Sequence, residues 1–448
     1  MPSYETAVSR MYALGHELAH TPSHKFDLAH MRVLLEALDH PERPFPGVLI
    51  AGTNGKGSTA ATLASILRAS GLRTGLYTSP HLARINERIR INGEEISDDE
   101  FALLHDVVDR TAERLVGEGE LPWHPSFFEM LTGMAFEYFA RRRVDIAVLE
   151  VGMGGRLDAT NVIEPRLSVI TDISLDHQKF LGDTITEIAR EKAGIIRPGG
   201  VVVTLPQHPE ANDVIGKTVL QLGARAASAV EYVPPVSPAS PDYSAGGGLS
   251  SRPIARYPLQ IQGQRILVET PLLGRHQLRN VALAIAAAEE LNGQGFTIRP
   301  GDIERGIRET RWPGRFQVVA PTPTTPEYVF DVAHNPAGAW ALRSTLSAVY
   351  GERPFTLVFG AMRDKAIAEI AEILFPLAER VIAARAENPR SATPEEIQQA
   401  AARISVEIEP AAGVREALRK AAAAEGPAGL VVVTGSIYIV GEAMQALA

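Results

Sequence analysis

The sequence predicts an α/β protein in two parts. The first is a large N-terminal domain, residues 1–312, whose mostly parallel sheet carries a phosphate-binding loop (P-loop); the second is a smaller C-terminal α/β domain, residues 313–448. Three observations predict this. Short β-branched runs alternate with helical stretches, the pattern of a sheet covered on both faces. One such run, Val48-Leu49-Ile50, opens into Ala51-Gly52-Thr53-Asn54-Gly55-Lys56-Gly57-Ser58 and then a helix-like stretch, Thr59 to Leu67. The composition breaks at Arg311-Trp312-Pro313-Gly314-Arg315, and the alternation then restarts for about 130 residues, an ordinary domain size.

Taken in order, residues 4–18 and 27–39 read as short amphipathic helices. His16, His20, His24, His30 and His40 cluster there without a carboxylate on a shared face, and read as surface or packing histidines. Strands follow at 47–51 and 74–78, then a hairpin in which 88–91 and 95–96 flank the turn pair Asn92-Gly93. Helices are expected at 98–116, 126–142 and 184–195, with strands at 144–149, 167–171 and 201–204. Residues 234–253, rich in Pro, Gly and Ser, read as a flexible loop beside a hairpin that turns at Gly263. Helices at 276–292 and 300–309 close the first domain. In the second, strands near 316–319, 328–331, 355–359, 379–383 and 429–433 alternate with helices near 337–349, 366–374, 394–403 and 411–424.

Composition bounds the function classes. The 448 residues are 45% apolar and 22% charged, an ordinary soluble balance, and the net charge of −9 shows no basic stripe for nucleic acid. With no cysteine, thiolate nucleophiles, disulfides and zinc–thiolate sites are excluded. The N-terminus lacks a signal-peptide core and no stretch reads as a membrane span, so a cytoplasmic protein is expected.

The loop at 52–58 sits between a strand and a helix, the context in which glycines let backbone N–H groups approach phosphate oxygens and the helix aims its positive end at the anion. Lys56 can add a charge on the β/γ-phosphates, and Ser58 can hold a Mg²⁺. The spacing departs from the common pattern: Gly57 stands between Lys56 and Ser58. Glu150 ends an apolar strand, where a P-loop protein places a Mg²⁺ carboxylate. By its surroundings alone, His177 reads as a loop histidine, and Lys192 as a commonplace lysine near a helix C-terminus. Phe127-Phe128-Glu129 and the stretch 156–161 can line an aromatic pocket, or else serve as core packing and helix capping. Asp331 and His334 fall on the ligand side of the second sheet, while Asn335-Pro336 reads as a helix cap.

In this order, the stretches resemble the Mur-ligase superfamily, and within it the folylpolyglutamate synthase/dihydrofolate synthase family. Gly-Thr-Asn-Gly-Lys-Gly-Ser at 52–58 is that superfamily's form of the P-loop. Thr78-Ser79-Pro80-His81-Leu82 with Asn86-Glu87-Arg88-Ile89, the run from Glu150 to Asn161, and Asp331-Val332-Ala333-His334-Asn335-Pro336 resemble the folate branch. Position 332 is Val where many relatives have Gly, and the 234–253 segment is longer than the family needs.

The resemblance implies a Rossmann-like C-terminal glutamate-ligase domain and an ATP-dependent ligation of L-glutamate to a pteroate or folate carboxylate through an acyl phosphate. It implies that Gly52, Thr53, Asn54, Gly55, Lys56, Gly57 and Ser58 bind ATP with Asn280, Arg315 and Asp331, and that His334 lies near the chemistry. Two Mg²⁺ sites are implied, one on Ser58 and Glu150, the other on Glu150 and His177. Lys192 matches a lysine that is carbamylated in the superfamily, which would turn a cation into an anion serving the second metal. Ser79, Pro80, Ser126, Phe127, Phe128, Glu129, Leu157, Asp158 and Ala159 fall where the family holds its pterin substrate. The implied partners are small molecules only (ATP, L-glutamate, and dihydropteroate or a reduced folate), and a monomer is expected. Two other readings compete: an amino-acid ligase acting on a muramyl nucleotide, and a nucleotide-driven switch or motor that makes no amide.

Overall fold

The computed structural model describes residues 3–15, 27–235 and 253–447; His16, His20, His24 and most of the 234–253 loop lie outside the described residues. In chain order the elements begin α1 (Tyr4–Ala13), α2 (Leu28–Ala37), β1 (Gly47–Ala51), α3 (Lys56–Ala69), β2 (Thr74–Tyr77), β3 (Ile89–Ile91), β4 (Glu94–Glu95), α4 (Asp98–Glu118) and α5 (Phe127–Arg141). They continue β5 (Ile146–Glu150), β6 (Leu167–Ile170), α6 (Gln178–Leu181), α7 (Ile185–Ala193), β7 (Val201–Thr204), α8 (Pro209–Gln221) and β8 (Arg225–Ser228). The hairpin β9 (Ala255–Ile261) and β10 (Gln264–Thr270) precedes α9 (Arg275–Gly293) and α10 (Pro300–Arg308). The last stretch holds β11 (Gln317–Val319), β12 (Glu327–Phe330), α11 (Pro336–Tyr350), β13 (Thr356–Phe359), α12 (Ile367–Leu374), β14 (Arg380–Ala384), α13 (Pro394–Ala400), β15 (Ile408–Ala411), α14 (Val414–Glu425), β16 (Leu430–Thr434) and α15 (Ile437–Leu447).

These elements form two compact units, Met1–Val233 with Ile261–Ile266 and Arg279–Glu309, and Pro234–Gln260 with Leu267–Leu278 and Thr310–Ala448. The first is built on an eight-stranded sheet in the order β4-β3-β2-β5-β1-β6-β7-β8. The six strands from β2 to β8 run parallel and the β2–β3 and β3–β4 pairings are antiparallel, so the expected mostly parallel sheet is present. β1 and β5 are buried along their whole length, as apolar strands covered on both faces must be. The register sets Ile50 opposite Glu150 and Ala51 opposite Ile170. The glycine loop therefore leaves the centre of the sheet between the ends of β5 and β6, where parallel sheets gather ligands.

The second unit holds a six-stranded sheet ordered β11-β12-β16-β13-β14-β15, parallel except for β11. Its central strands β13 and β16 are fully buried, and Asp331 follows directly on β12. No helix of the described residues is long and apolar enough to cross a membrane.

Several elements carry weak sequence signals. β8 reads Arg-Ala-Ala-Ser, without a β-branched residue, and sits at a sheet edge. β15 contains Pro410, tolerated because it too is an edge strand. α15 opens Ile-Tyr-Ile-Val, which reads as strand and is helical through tertiary packing. The first helix covers 4–13 of the expected 4–18, and residues 16–26 are not described.

Candidate active site

The loop at 52–55 is stapled to the turn after β6. The N–H groups of Thr53 and Asn54 both donate to the carbonyl of Asp172, at 2.9 and 3.2 Å. Thr53 Oγ1 donates to the Ser174 carbonyl at 3.0 Å and accepts the Ser174 N–H at 3.1 Å, while Asn54 Nδ2 donates to Ser174 Oγ at 3.1 Å. Two glycines are required here. Gly52 has φ +150° and a Cβ on it would lie 1.8 Å from Thr171 Oγ1; Gly55 has φ +91° and its Cβ would lie 2.2 Å from Asn280 Oδ1. Asn280, which the resemblance assigns to ATP, is thus packed against this loop. Gly55 caps α3, which starts at Lys56 and aims its positive end at the loop.

Lys56 folds back over this turn, its Nζ donating to the carbonyls of Gly52 (3.1 Å) and Thr53 (3.3 Å). Ser58 Oγ and Thr59 Oγ1 are buried with no hydrogen-bond partner. A buried hydroxyl left unsatisfied costs about 1–3 kcal/mol, so such atoms in the first turn of a helix beside a glycine loop fit a ligand.

Glu150 ends β5 and is 4% exposed. Its Oε2 accepts the N–H of Ser79 at 3.1 Å, a neighbour the sequence did not foresee, having placed Ser79 only in the substrate set. His177 stands in the left-handed region, φ 51°, where it caps the short α6. Its N–H donates to Asp176 Oδ1 at 2.9 Å and its Nε2 lies 3.9 Å from Asp176 Oδ2. Among the described residues no group of three or more His, Cys, Asp or Glu is arranged to hold a metal.

Lys192 departs from its plain local reading. It is 4% exposed, and its Nζ donates to the Gly52 carbonyl at 2.8 Å, the same carbonyl that Lys56 reaches. Burial first, and then the charge of Lys56, bring its pKa down to about 7, while Asp176 and Asp158 pull the other way.

The residues assigned to the pterin divide. Phe127 and Phe128 are aromatic surfaces: Phe127 stacks on Tyr12 at 5.9 Å with the Arg88 guanidinium 5.2 Å from its centroid, and Phe128 lies 5.8 Å from Tyr77. Ser126 and Glu129 form the capping box of α5, Glu129 Oε2 accepting the Ser126 N–H at 2.8 Å and its Oγ at 2.6 Å. Asp158 accepts the Met153 N–H (3.0 Å), the Thr160 N–H (3.0 Å) and Thr160 Oγ1 (2.6 Å), and so shapes the turn between Leu157 and Ala159. Burial raises its carboxyl pKa against those donors.

In the second unit, Asp331 is buried and its carboxylate accepts the N–H groups of Phe316 (2.8 Å) and Ala333 (2.9 Å). Burial raises its pKa, opposed first by the Arg315 charge. His334 Nδ1 lies 3.0 Å from the Val332 carbonyl. Asn335 caps α11 by accepting the Gly338 N–H at 2.8 Å, with Pro336 at the first helical position, as its capping reading anticipated.

Residues 129–288 match the Mur ligase middle domain and residues 314–437 the Mur ligase glutamate ligase domain. A folylpolyglutamate synthase of Lacticaseibacillus casei is 36% identical over 422 residues, spanning 93% of this chain and 94% of that protein. The chain belongs to the folylpolyglutamate synthase/dihydrofolate synthase family. A member of this family from Bacillus subtilis, dihydrofolate synthase/folylpolyglutamate synthase, is 34% identical over 428 residues, 94% of each. The solved Mycobacterium tuberculosis folylpolyglutamate synthase, complexed with ADP and AMPPCP, shares 32% identity over 98% of both chains with a TM-score of 0.85. This member of the family is accordingly an ATP-dependent, amide-forming ligase. The family falls on the folate side of the Mur ligases rather than the muramyl side, and it is a ligase rather than a nucleotide switch.

Proposed function

We propose that this ligase joins the amine of L-glutamate to the carboxylate of dihydropteroate or a reduced folate through an acyl phosphate, with ATP as phosphoryl donor. The observation that carries the reading is the convergence on one loop carbonyl, that of Gly52, of the ammonium of Lys56 and the buried amine of Lys192. A loop that holds two lysines beside an unpartnered serine hydroxyl suits a polyanion.

A carboxylate does not condense with an amine in water because its leaving group is poor. Attack of its oxygen on the γ-phosphorus makes the acyl phosphate and releases ADP; the amine then attacks the acyl carbon and expels phosphate. Residues 52–58 bind the ATP phosphates, and Lys56 places its charge on the β/γ-oxygens. Asn280 lies against Gly55 and would touch the nucleotide there. Ser58 and Glu150 would hold one Mg²⁺ and Glu150 and His177 a second. Those ions would neutralise the repulsion between two anionic reactants. Lys192 in its neutral form can take up CO₂ as a carbamate, an anion that would serve the second ion. Phe127, Phe128, Leu157 and Ala159 supply apolar surface for a pterin, with Ser79 and Pro80 near its reacting end. The reading places the reaction in the cytoplasm, catalysed by a single chain.

ADP formation tests this. ADP is expected only when glutamate is present with dihydropteroate or a reduced folate, one amide formed per ADP, and the comparison of the two acceptors decides between the two activities. ADP released without any carboxylate–amine pair would contradict the reading.

A further inference from the structure

The nucleotide loop is held from outside by one ion pair. Arg279 grips the Asp172 carboxylate with both arms of its guanidinium, Nε to Oδ2 at 3.0 Å and an Nη to Oδ1 at 2.6 Å, and the same Nη donates to the Pro206 carbonyl at 3.0 Å. Asp172 is the residue whose backbone carbonyl accepts both Thr53 and Asn54 N–H groups. The next residue of α9, Asn280, is the one packed against Gly55. Consecutive residues of one helix therefore fix the loop from two sides, Asn280 directly and Arg279 through Asp172.

We propose that the Asp172–Arg279 pair is a positioning device for ATP: it sets the height and tilt of the loop at 52–55, and so where the γ-phosphate sits. The proposal rests on reading 52–58 as the nucleotide loop. The turn that Arg279 steadies has other supports: Ile173 N–H donates to Gln207 Oε1 at 2.7 Å, and Ser174 exchanges hydrogen bonds with Thr53. Those supports hold the turn in place, while the fork on Asp172 fixes its orientation. Both side chains are about a third exposed, 29% for Arg279 and 37% for Asp172, so the pair adds little to global stability. Its expected contribution is geometric, because a displacement of about 1 Å in a phosphate cradle costs on the order of a hundredfold in rate. A planar fork is also what lysine cannot reproduce.

The test compares R279M and R279K, D172N and the double variant D172N/R279M, with full kinetics for all three substrates, AMPPCP binding and thermal unfolding. In R279M kcat/KM for ATP is expected to fall by about tenfold to a hundredfold and the Kd for AMPPCP to rise, with KM for glutamate and folate unchanged and Tm within about 2 °C. R279K should recover part of the loss. D172N should match R279M, and the double variant should be no worse than either single one, as members of one coupled pair behave. A normal kcat/KM for ATP in R279M overturns the proposal, and so does an equal loss for all three substrates with a lowered Tm. Lys56→Ala measured alongside separates the two levels. If it also leaves AMPPCP binding intact, the loop reading has failed and the proposal falls with it. If it impairs binding while R279M does not, only the proposal fails.

Discussion

Lys56→Ala is expected to abolish glutamate-dependent ADP release, with kcat/KM for ATP falling by about a thousandfold. The size reflects what the side chain does. Its Nζ rests on the Gly52 and Thr53 carbonyls, a position over the loop from which it can meet the β/γ-oxygens of ATP. Removing one preorganised charge from a site where transition-state charge spreads over phosphoryl oxygens costs about 2.7–4 kcal/mol in comparable cases. A second loss adds to the first. The Lys56 charge is one of the causes that lower the Lys192 pKa, so without it Lys192 is held more firmly as a cation and is less able to take up CO₂. Initial-rate ADP assays check this, and near-normal turnover would remove the proposed role of Lys56.

Lys192→Ala is the second large effect, expected to lower kcat by on the order of a hundredfold and to be partly rescued by short carboxylates such as formate or acetate. An ordinary lysine is almost wholly protonated at neutral pH, and a protonated amine cannot attack CO₂. With its pKa at about 7, about half of Lys192 is neutral at pH 7. The neutral fraction therefore grows above about pH 7 and shrinks below it. Enzyme stripped of CO₂ should regain activity on adding bicarbonate more readily at pH 8 than at pH 6, roughly one unit either side of that midpoint. The alanine variant leaves a buried space beside the Gly52 carbonyl that a small carboxylate can enter. Full activity in Lys192→Ala without added carboxylate would dismiss the carbamate.

Much of the site was legible because its signals are local. A glycine turn between a strand and a helix, an acid at the end of β5 and another after β12 mark the carboxyl edges of two parallel sheets, and both sheets are there. Lys192 was not legible from its surroundings. A lysine in the last turn of α7 reads as commonplace, whereas this one is buried and bonded to Gly52, 140 residues away. The Asp172–Arg279 pair, 107 residues apart, leaves no periodic trace; the one available clue was an acid at the end of a strand next to the central one. Ser126 and Glu129 show the opposite case. Their Ser-x-x-Glu spacing is a capping signature, and the structure uses both in the cap of α5.

Two divalent ions gathered by Ser58, Glu150 and His177 stand at the centre of the proposed chemistry. The direct measurement is a crystal structure of the protein with AMPPCP and Mn²⁺, in which anomalous scattering locates the metal. Two Mn²⁺ peaks are expected beside the nucleotide, one contacted by Ser58 Oγ and Glu150, the other by Glu150 and His177. Bound nucleotide with metal that touches none of these three side chains would contradict the proposed chemistry.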